Sequence, residues 1–136
     1  MDLVKSLRVS AAGLAAESTR LRVIAENLAN ADSTAQTPGG EPYRRKVVSF
    51  GSMLDRAVGL NTVRVTKIGT AVGDFERRYD PSHPASDQDG YVLLPNVNPL
   101  IELNDMREAQ RSYQANLNVI EAAKTMIGRT IDILHG

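Results

Sequence analysis

The 136-residue sequence contains no cysteine and no tryptophan. The lack of cysteine excludes a disulfide framework, a thiolate metal site and thiol redox chemistry. Other aromatic residues are scarce, with two phenylalanines and four tyrosines. Because aromatic side chains make the largest single contributions to buried cores, we expect a thin globular centre. The remaining apolar surface must then be covered by another helix or by another copy of the chain.

An excess of either charge is also missing, since 16 Lys and Arg residues balance 16 Asp and Glu residues. Short basic runs such as Arg44-Arg45-Lys46 and Arg77-Arg78 are typical of solvated faces. A neutral chain lacks the positive field that holds nucleic acid, so we expect no nucleic-acid partner. Neutral chains associate with their neighbours more readily than highly charged ones do.

Long apolar runs are absent as well, because no stretch approaches the roughly 18 residues that a membrane helix needs. Lys5, Arg8 and Glu17 interrupt the first apolar segment. A secretory signal has a basic start and an unbroken apolar block. We therefore expect no direct membrane insertion, and either a cytosolic protein or one exported without a cleaved signal peptide.

Heptad spacing dominates the amino-terminal segment. Leucine recurs every seven residues, and a mostly small residue stands three positions before each leucine, which indicates a coiled-coil helix from about Leu3 to Ala29. We name the small positions the α1 a column and the leucines the α1 d column. The a column is Val4, Ala11, Ser18 and Ala25, and the d column is Leu7, Leu14, Leu21 and Leu28.

The carboxyl-terminal segment repeats this spacing with larger residues. Its a column is Leu103, Gln110, Leu117, Lys124 and Ile131, and its d column is Met106, Tyr113, Ile120, Ile127 and Leu134. Isolated polar residues at a positions cost stability but set register and partner number. Pro99 is expected to stand just ahead of this helix, because a residue before proline avoids the helical conformation.

Each predicted helix carries an apolar stripe that is too narrow for a buried core helix and too apolar to face water. The two ends can satisfy their stripes by pairing as an antiparallel hairpin within the chain. They can equally form a coiled-coil layer shared between subunits. Periodicity alone does not separate these two interpretations.

The segment between the helices has a different composition. Residues 31–41 are rich in Ala, Ser, Thr, Gly and Pro and predict a loop. Alternating or β-branched residues predict three or so short strands in one small sheet, at 46–50, 62–66 and 91–94. The fold class is mainly α with a small β region. The predicted segments are an amino-terminal helix (1–30), a loop and β-rich middle (31–99) and a coiled-coil helix (100–136).

Catalytic motifs are missing, and we predict no enzyme, no cofactor and no catalytic or metal residue. The densest polar cluster, Asp80, His83, Asp87 and Asp89, weakly resembles a calcium loop. It lacks the later bidentate glutamate and is interrupted by prolines. The favoured interpretation is a rigid loop whose Asp side chains cap turns. His135 fits a favourable position at a helix carboxyl terminus.

Three sequence blocks resemble the bacterial flagellar rod and hook proteins. Asn27-Leu28-Ala29-Asn30 matches the signature at the end of their first helix. Tyr79-Asp80-Pro81-Ser82-His83-Pro84 is similar to the middle segment of the proximal rod members, and Arg111-Ser112-Tyr113-Gln114-Ala115-Asn116 matches the rod signature of the last helix. The insertion between the first signature and Pro42-Tyr43 departs from the general family pattern and also resembles the proximal rod group.

The resemblance implies a structural subunit that self-assembles through its terminal helices into the hollow, torque-transmitting basal-body rod across the periplasm. It implies export through the flagellar type III apparatus, and terminal helices that become ordered on assembly. The implied neighbours are copies of itself, the rod proteins FlgB, FlgF and FlgG, and the FliE adaptor. The alternative function is a soluble helical adaptor or export chaperone that binds a partner helix.

The residues expected to form assembly contacts follow from the columns and the signatures. The expected contact residues are all members of the a and d columns of both helices, with the exception of Ser18. Asn27 and Asn30 are added because their amides can tie the helix end to the loop behind it. Loop packing against an adjacent subunit is expected for Tyr79, Asp80, Pro81, His83 and Pro84.

Overall fold

The computed structural model describes residues 2–136. It contains two long helices and four strands in the order α1 (Leu3–Ala29), β1 (Lys46–Asp55), β2 (Leu60–Thr70), β3 (Glu76–Tyr79), β4 (Tyr91–Leu94) and α2 (Pro99–His135). This confirms the expected fold class, with terminal helices on either side of a short β-containing middle. None of the helices in these residues is both long and apolar enough to cross a membrane.

Helix α1 has the bounds that the heptads predict. At its start, the Asp2 Oδ1 accepts a hydrogen bond from the Val4 backbone N–H at 3.0 Å, which caps the first turn. At its end, the Asn30 amide donates to the Glu26 carbonyl at 2.9 Å. The same carbonyl accepts from the Asn30 backbone N–H at 3.1 Å, so the side chain adds a second hydrogen bond at the last turn.

Helix α2 begins at Pro99, so the prediction that Pro99 precedes the helix is wrong. Proline suits the first helical position, because the amide hydrogen that it lacks would have no partner there and its φ angle is already helical. Asn98 is the cap, since its Oδ1 accepts from the Leu100 N–H at 3.0 Å.

The prediction of three short strands in one sheet is also wrong. The chain forms two separate two-stranded sheets, β1–β2 and β3–β4. Strands β1 and β2 are longer than predicted, with 10 and 11 residues. Strand β3 was missed because its sequence, Glu-Arg-Arg-Tyr, is exposed throughout and carries no apolar alternation. It pairs antiparallel with β4, from Glu76 opposite Leu94 to Tyr79 opposite Tyr91.

The described chain divides into two compact units. The helix-end unit combines residues up to Leu21 with Ser49–Lys67 and Arg107–Gly136, and the signature unit combines Arg22–Val48 with Ile68–Met106. Both long helices contribute to both units. The three segments predicted from the sequence describe order along the chain, and their behaviour as domains stays a prediction; Met1, in the first segment, lies outside the described residues.

Within the helix-end unit, α1 and α2 lie antiparallel. Gly13 packs so closely on Asn116 that an added Cβ would lie 2.7 Å from the Asn116 Nδ2. About two turns further along α1, Arg20 forms an ion pair with Glu108 at 3.5 Å. Pairing of the terminal helices within one chain, left open by the periodicity, is therefore present in this unit.

The signature unit has a small core made from aliphatic and polar side chains. Its buried residues include Val23, Ile24 and Val92, together with the polar Asn27 and Glu102. No aromatic side chain is among the buried residues of the described chain, which agrees with the thin centre that the composition indicates.

Candidate assembly surface and its polar anchor

The α1 columns differ sharply in exposure. All four residues of the a column (Val4, Ala11, Ser18 and Ala25) are exposed, whereas the four leucines of the d column are half-buried. Of the six buried positions of α1, four lie one residue before a column (Ser10, Gly13, Ile24 and Asn27), and two lie two residues before an a-column position (Ala16 and Val23). The face that the chain buries is thus adjacent to the predicted stripe rather than identical with it.

Helix α2 repeats this arrangement. Its a column is exposed at every position except the half-buried Leu117, with Leu103 at 45% and Ile131 at 48%. Its d column is half-buried except at Leu134, which is 80% exposed. The buried residues Glu102, Ala109 and Ala123 again precede a-column positions by one.

A step of one residue rotates a helix surface by about 100°. Each helix therefore presents one face to its own chain and a second, neighbouring face that remains uncovered. The apolar stripe in the sequence lies where these two faces meet. Its d column is mostly half-buried against the chain, and its a column lies mostly on the uncovered face. Whether another subunit covers the a columns stays a prediction.

The last turns of α2 are uncovered on every side. All residues from Gly128 to Gly136 are exposed, including Ile133 at 79%. Exposing several apolar side chains on one helix end is unfavourable in water unless another surface covers them. The d-column residue Leu134 lies in this segment.

A cluster of hydrogen-bonded side chains, here called the polar anchor, lies in the signature unit. It consists of Asn27, Tyr43, Arg45, Lys46 and Glu102. The buried Asn27 Oδ1 accepts from the Tyr43 hydroxyl at 2.7 Å and from the Lys46 backbone N–H at 2.9 Å. Its Nδ2 donates to the Lys46 carbonyl at 2.9 Å and to a Glu102 carboxylate oxygen at 3.3 Å. The expectation that Asn27 ties the helix end to the following loop is confirmed.

Glu102 completes the anchor from α2. Its carboxylate has no solvent exposure, and it accepts a hydrogen bond from the Arg45 Nε in addition to that from Asn27. Arg45 also reaches Asp105 at 3.4 Å. A buried carboxylate is tolerated only when it is paired and hydrogen-bonded. Sequence reasoning missed Arg45 and Glu102, because no local pattern couples side chains that lie 57 residues apart.

The charges around the anchor shift two pKa values in opposite directions. Burial raises the pKa of the Tyr43 hydroxyl, and the negative charges of Glu26 and Glu102 raise it further. A hydrogen bond from the Lys46 ammonium, 3.0 Å away, is the main reason that the pKa of Glu26 is lowered. These surroundings favour an ionised Glu26 beside the anchor and a neutral Tyr43 within it.

The proline-flanked segment forms a turn-rich loop. Asp87 Oδ1 accepts from the backbone N–H groups of Asp89 and Tyr91, each at 2.9 Å. His83 Nδ1 accepts from the Ala85 N–H at 2.9 Å. These bonds confirm the interpretation that Asp side chains cap turns here. In residues 2–136, no group of His, Asp and Glu side chains is placed to hold a metal ion.

The five predicted loop-packing residues surround this segment. Tyr79 is 65% exposed, and its ring meets that of Tyr91 edge-on at 5.3 Å. Pro81 and Pro84 are exposed, while Asp80 and His83 are half-buried. Contact with an adjacent subunit through these residues stays a prediction.

Comparison with known proteins decides between the possible functions. The family model "Flagella basal body rod protein" matches residues 7–35, and "Flagellar basal body rod FlgEFG protein C-terminal" matches residues 88–133. The flagellar basal-body rod protein FlgC of Agrobacterium fabrum is 54% identical over 93% of this chain and 91% of its own length. The chain belongs to the FlgC family of flagellar basal-body rod proteins.

Other FlgC proteins are similar over almost their whole length. That of Bacillus subtilis is 40% identical over 98% of this chain and 99% of its own, and that of Salmonella typhimurium is 39% identical over 98% of both. The chain is accordingly a structural subunit of the flagellar basal-body rod, with other rod proteins as its partners. These relatives are named as flagellar basal-body rod proteins.

Proposed function

We propose that this FlgC-family subunit assembles into the rod through the a columns of α1 and α2. The observation that carries the proposal is their exposure: most buried positions of the two helices lie one residue before a column, and every a-column residue except the half-buried Leu117 is exposed. A small-residue column on α1 allows a close approach by a column of larger side chains, and α2 presents such a column, with three apolar and two polar residues. Covering these stripes removes apolar surface from water and favours assembly.

The remaining details of the proposal follow from family resemblance. The neighbours are copies of the chain, FlgB, FlgF, FlgG and the FliE adaptor. The chain leaves the cell through the flagellar type III apparatus without a cleaved signal peptide, and it takes its place in the periplasmic part of the rod. It has no catalytic activity, and it transmits torque as part of a hollow shaft.

A pair of matched substitutions tests the role of the columns. Ala11→Glu places a charge in the α1 a column, whereas Ala122→Glu makes the same change at an exposed α2 position outside the columns. We expect both purified variants to retain wild-type circular dichroism. In cells, Ala11→Glu is lost from isolated basal bodies and abolishes motility, whereas Ala122→Glu assembles normally. Normal incorporation of Ala11→Glu would overturn the proposal.

A further inference from the structure

The loop that follows β2 presents one fully uncovered apolar side chain. Val72 is 99% exposed, more than any other large apolar residue described. Single exposed apolar residues are common on protein surfaces and by themselves mean little. The loop around Val72 is unusual because its backbone is held in place on both sides of the exposed residue.

Two side chains hold this loop. Arg44 Nη1 donates to the carbonyls of Ala71 and Gly73 at 3.0 and 2.9 Å, and the Arg44 guanidinium lies over the Phe75 ring at 4.3 Å. Asn96 Nδ2 reaches the same two carbonyls at 3.4 and 3.2 Å. A residue presented on a preordered backbone loses little conformational entropy on binding. Val72 therefore projects into solvent from an ordered backbone, which suits it to contact another surface.

The helix-end unit contains an open apolar groove that fits such a contact. Its volume is about 300 Å³, and it lies between one face of α1 and the β1–β2 sheet. The groove is lined by Ala12, Ala15, Ala16 and Thr19 of α1 and by Met53, Thr62, Val63, Arg64 and Val65 of the sheet. Small α1 side chains leave the space, and aliphatic sheet residues form the opposite wall.

The charges beside the two features are complementary. Asp74 is exposed two residues after Val72, and Arg64 is exposed where it lines the groove. Within residues 2–136, neither side chain takes part in an ion pair. Placing Val72 in the groove of another molecule would give Asp74 an arginine partner close to the buried contact, where charge pairing adds specificity.

We propose that Val72 of one subunit inserts into the alanine-lined groove of a second copy of this chain, with Asp74 of the first pairing with Arg64 of the second. The proposal rests on the rod assembly proposed above and names one contact within it. The contact is proposed to run in one direction only, from the loop of each copy to the groove of the next, which makes it heterologous. Heterologous contacts that do not close into a ring generate helical assemblies, as a rod requires.

Cysteine cross-linking tests this contact directly, because the chain has no cysteine of its own. Val72→Cys combined with Ala15→Cys is expressed in place of the wild-type chain, and isolated basal bodies are treated with a short bis-maleimide. We expect cross-linked dimers and higher species of this chain. Either single variant gives none, and Val72→Cys with Ala122→Cys gives clearly less cross-linked product than Val72→Cys with Ala15→Cys. Basal bodies that contain the double variant without cross-links, or with equal cross-linking to position 122, would overturn the contact.

Charge reversal provides an independent test that does not alter Val72. Asp74→Arg and Arg64→Asp each place like charges together, so each is expected to reduce rod number at least about tenfold. The combined variant restores the opposite pair and recovers most rods. Asp89→Arg, the same change at another exposed loop position, should leave rod number unchanged. Failure of the combined variant to improve on both single variants would contradict the Asp74–Arg64 pairing.

These outcomes are distinguishable from failure of the rod assembly itself. If Ala11→Glu is excluded from basal bodies but the cysteine pair assembles without cross-linking, the column proposal stands and the Val72 contact is wrong. If Ala11→Glu is incorporated normally while the Val72 and Ala15 cysteines cross-link, the contact stands and the columns do not form the interface.

Discussion

Glu102 is a fully buried carboxylate whose partners are the Arg45 guanidinium and the Asn27 amide. Removing the Glu102 carboxylate takes a partner from the buried Asn27 amide and from Arg45, which is 26% exposed and keeps Asp105, and a loss of this kind costs about 1–3 kcal/mol. We expect Glu102→Ala to lower the free energy of unfolding by that amount, measured by urea titration. Glu108→Ala removes an ion pair whose glutamate side chain is 68% exposed, and it should cost less than about 1 kcal/mol. Equal losses of unfolding free energy in Glu102→Ala and Glu108→Ala would show that the polar anchor stabilises the fold no more than an exposed ion pair does.

Glu17 gives the protein a pH dependence of its own. Burial raises the pKa of this carboxyl, opposed by Arg20, and one of its oxygens is buried without a hydrogen-bond donor. A raised pKa means that the folded state binds the proton more tightly than the unfolded state. Protonation of Glu17 therefore stabilises the folded state fully at pH values below the unfolded-state pKa of this carboxyl. This stabilisation is lost as the pH rises through the folded-state pKa.

Replacing Glu17 by glutamine removes this titration. We expect Glu17→Gln to be more stable than the wild type at about pH 7 and to lose that advantage towards about pH 4. Glu26→Gln is the control with the opposite sign, because the pKa of Glu26 is lowered. It should be less stable than the wild type near neutral pH. Unfolding curves across this range would contradict the account if Glu17→Gln were destabilised at neutral pH.

Single-residue roles were only partly predictable. Asn27 could be selected from the sequence because it belongs to a recognisable signature at a predicted helix end. Arg45 and Glu102 could not, since an isolated arginine and glutamate carry no local signal that they meet. Their pairing depends on how α2 and the residue that precedes β1 are placed within the signature unit, which only a three-dimensional structure reveals.

At the scale of the elements, the close approach of α1 and α2 depends on Gly13. Alanine normally stabilises a helix by up to about 1 kcal/mol relative to glycine, and Gly128→Ala should do so because its added Cβ meets nothing within 4 Å. At Gly13 the new Cβ would collide with the Asn116 amide at 2.7 Å. The Asn116 amide can turn away only by giving up its hydrogen bond to the Ser112 carbonyl, so we expect Gly13→Ala to lose the helix gain and to destabilise by up to about 1 kcal/mol.

A double variant separates the collision from other effects of the substitution. Gly13→Ala combined with Asn116→Ala removes the clashing amide, and it should recover stability relative to Gly13→Ala alone in urea unfolding followed by circular dichroism. If Gly13→Ala is as stabilising as Gly128→Ala, the helices do not approach each other as closely as the structure indicates.

Regular elements with strong periodicity were predictable, whereas weakly patterned ones were not. The heptad leucines gave the bounds of α1 correctly. The restriction that proline places on the preceding residue predicts Pro99 outside α2, whereas the preference of proline for the first helical turn places it inside. Strand β3 has four exposed residues, so backbone pairing with β4 determines its conformation and apolar alternation does not.

At the scale of the whole molecule, the uncovered columns and helix end predict incomplete order in the isolated subunit. Every residue from Gly128 onward is exposed, and an unsupported helix end frays in water. We expect circular dichroism of the purified monomer to show fewer helical residues than the 27 of α1 and 37 of α2, with an increase on polymerisation. A monomer that is fully helical at high concentration would contradict this expectation.

The sequence indicated that the helices carry apolar stripes but could not assign those stripes to a partner. The reason is geometric: the face buried within the chain and the face left open differ by one residue, and both contribute to the same heptad signal. The d column belongs partly to each face, and the exposure of Val4, Ala11, Ser18 and Ala25 became apparent only in the folded chain.

The most direct test of the account is a density map of the intact basal body at a resolution that shows side chains. The account predicts that Ala11 and Ser18 of the α1 a column, and Leu103 and Ile131 of the α2 a column, lie within about 4.5 Å of an adjacent subunit. A rod in which these side chains face solvent, with subunits joined elsewhere, would contradict it.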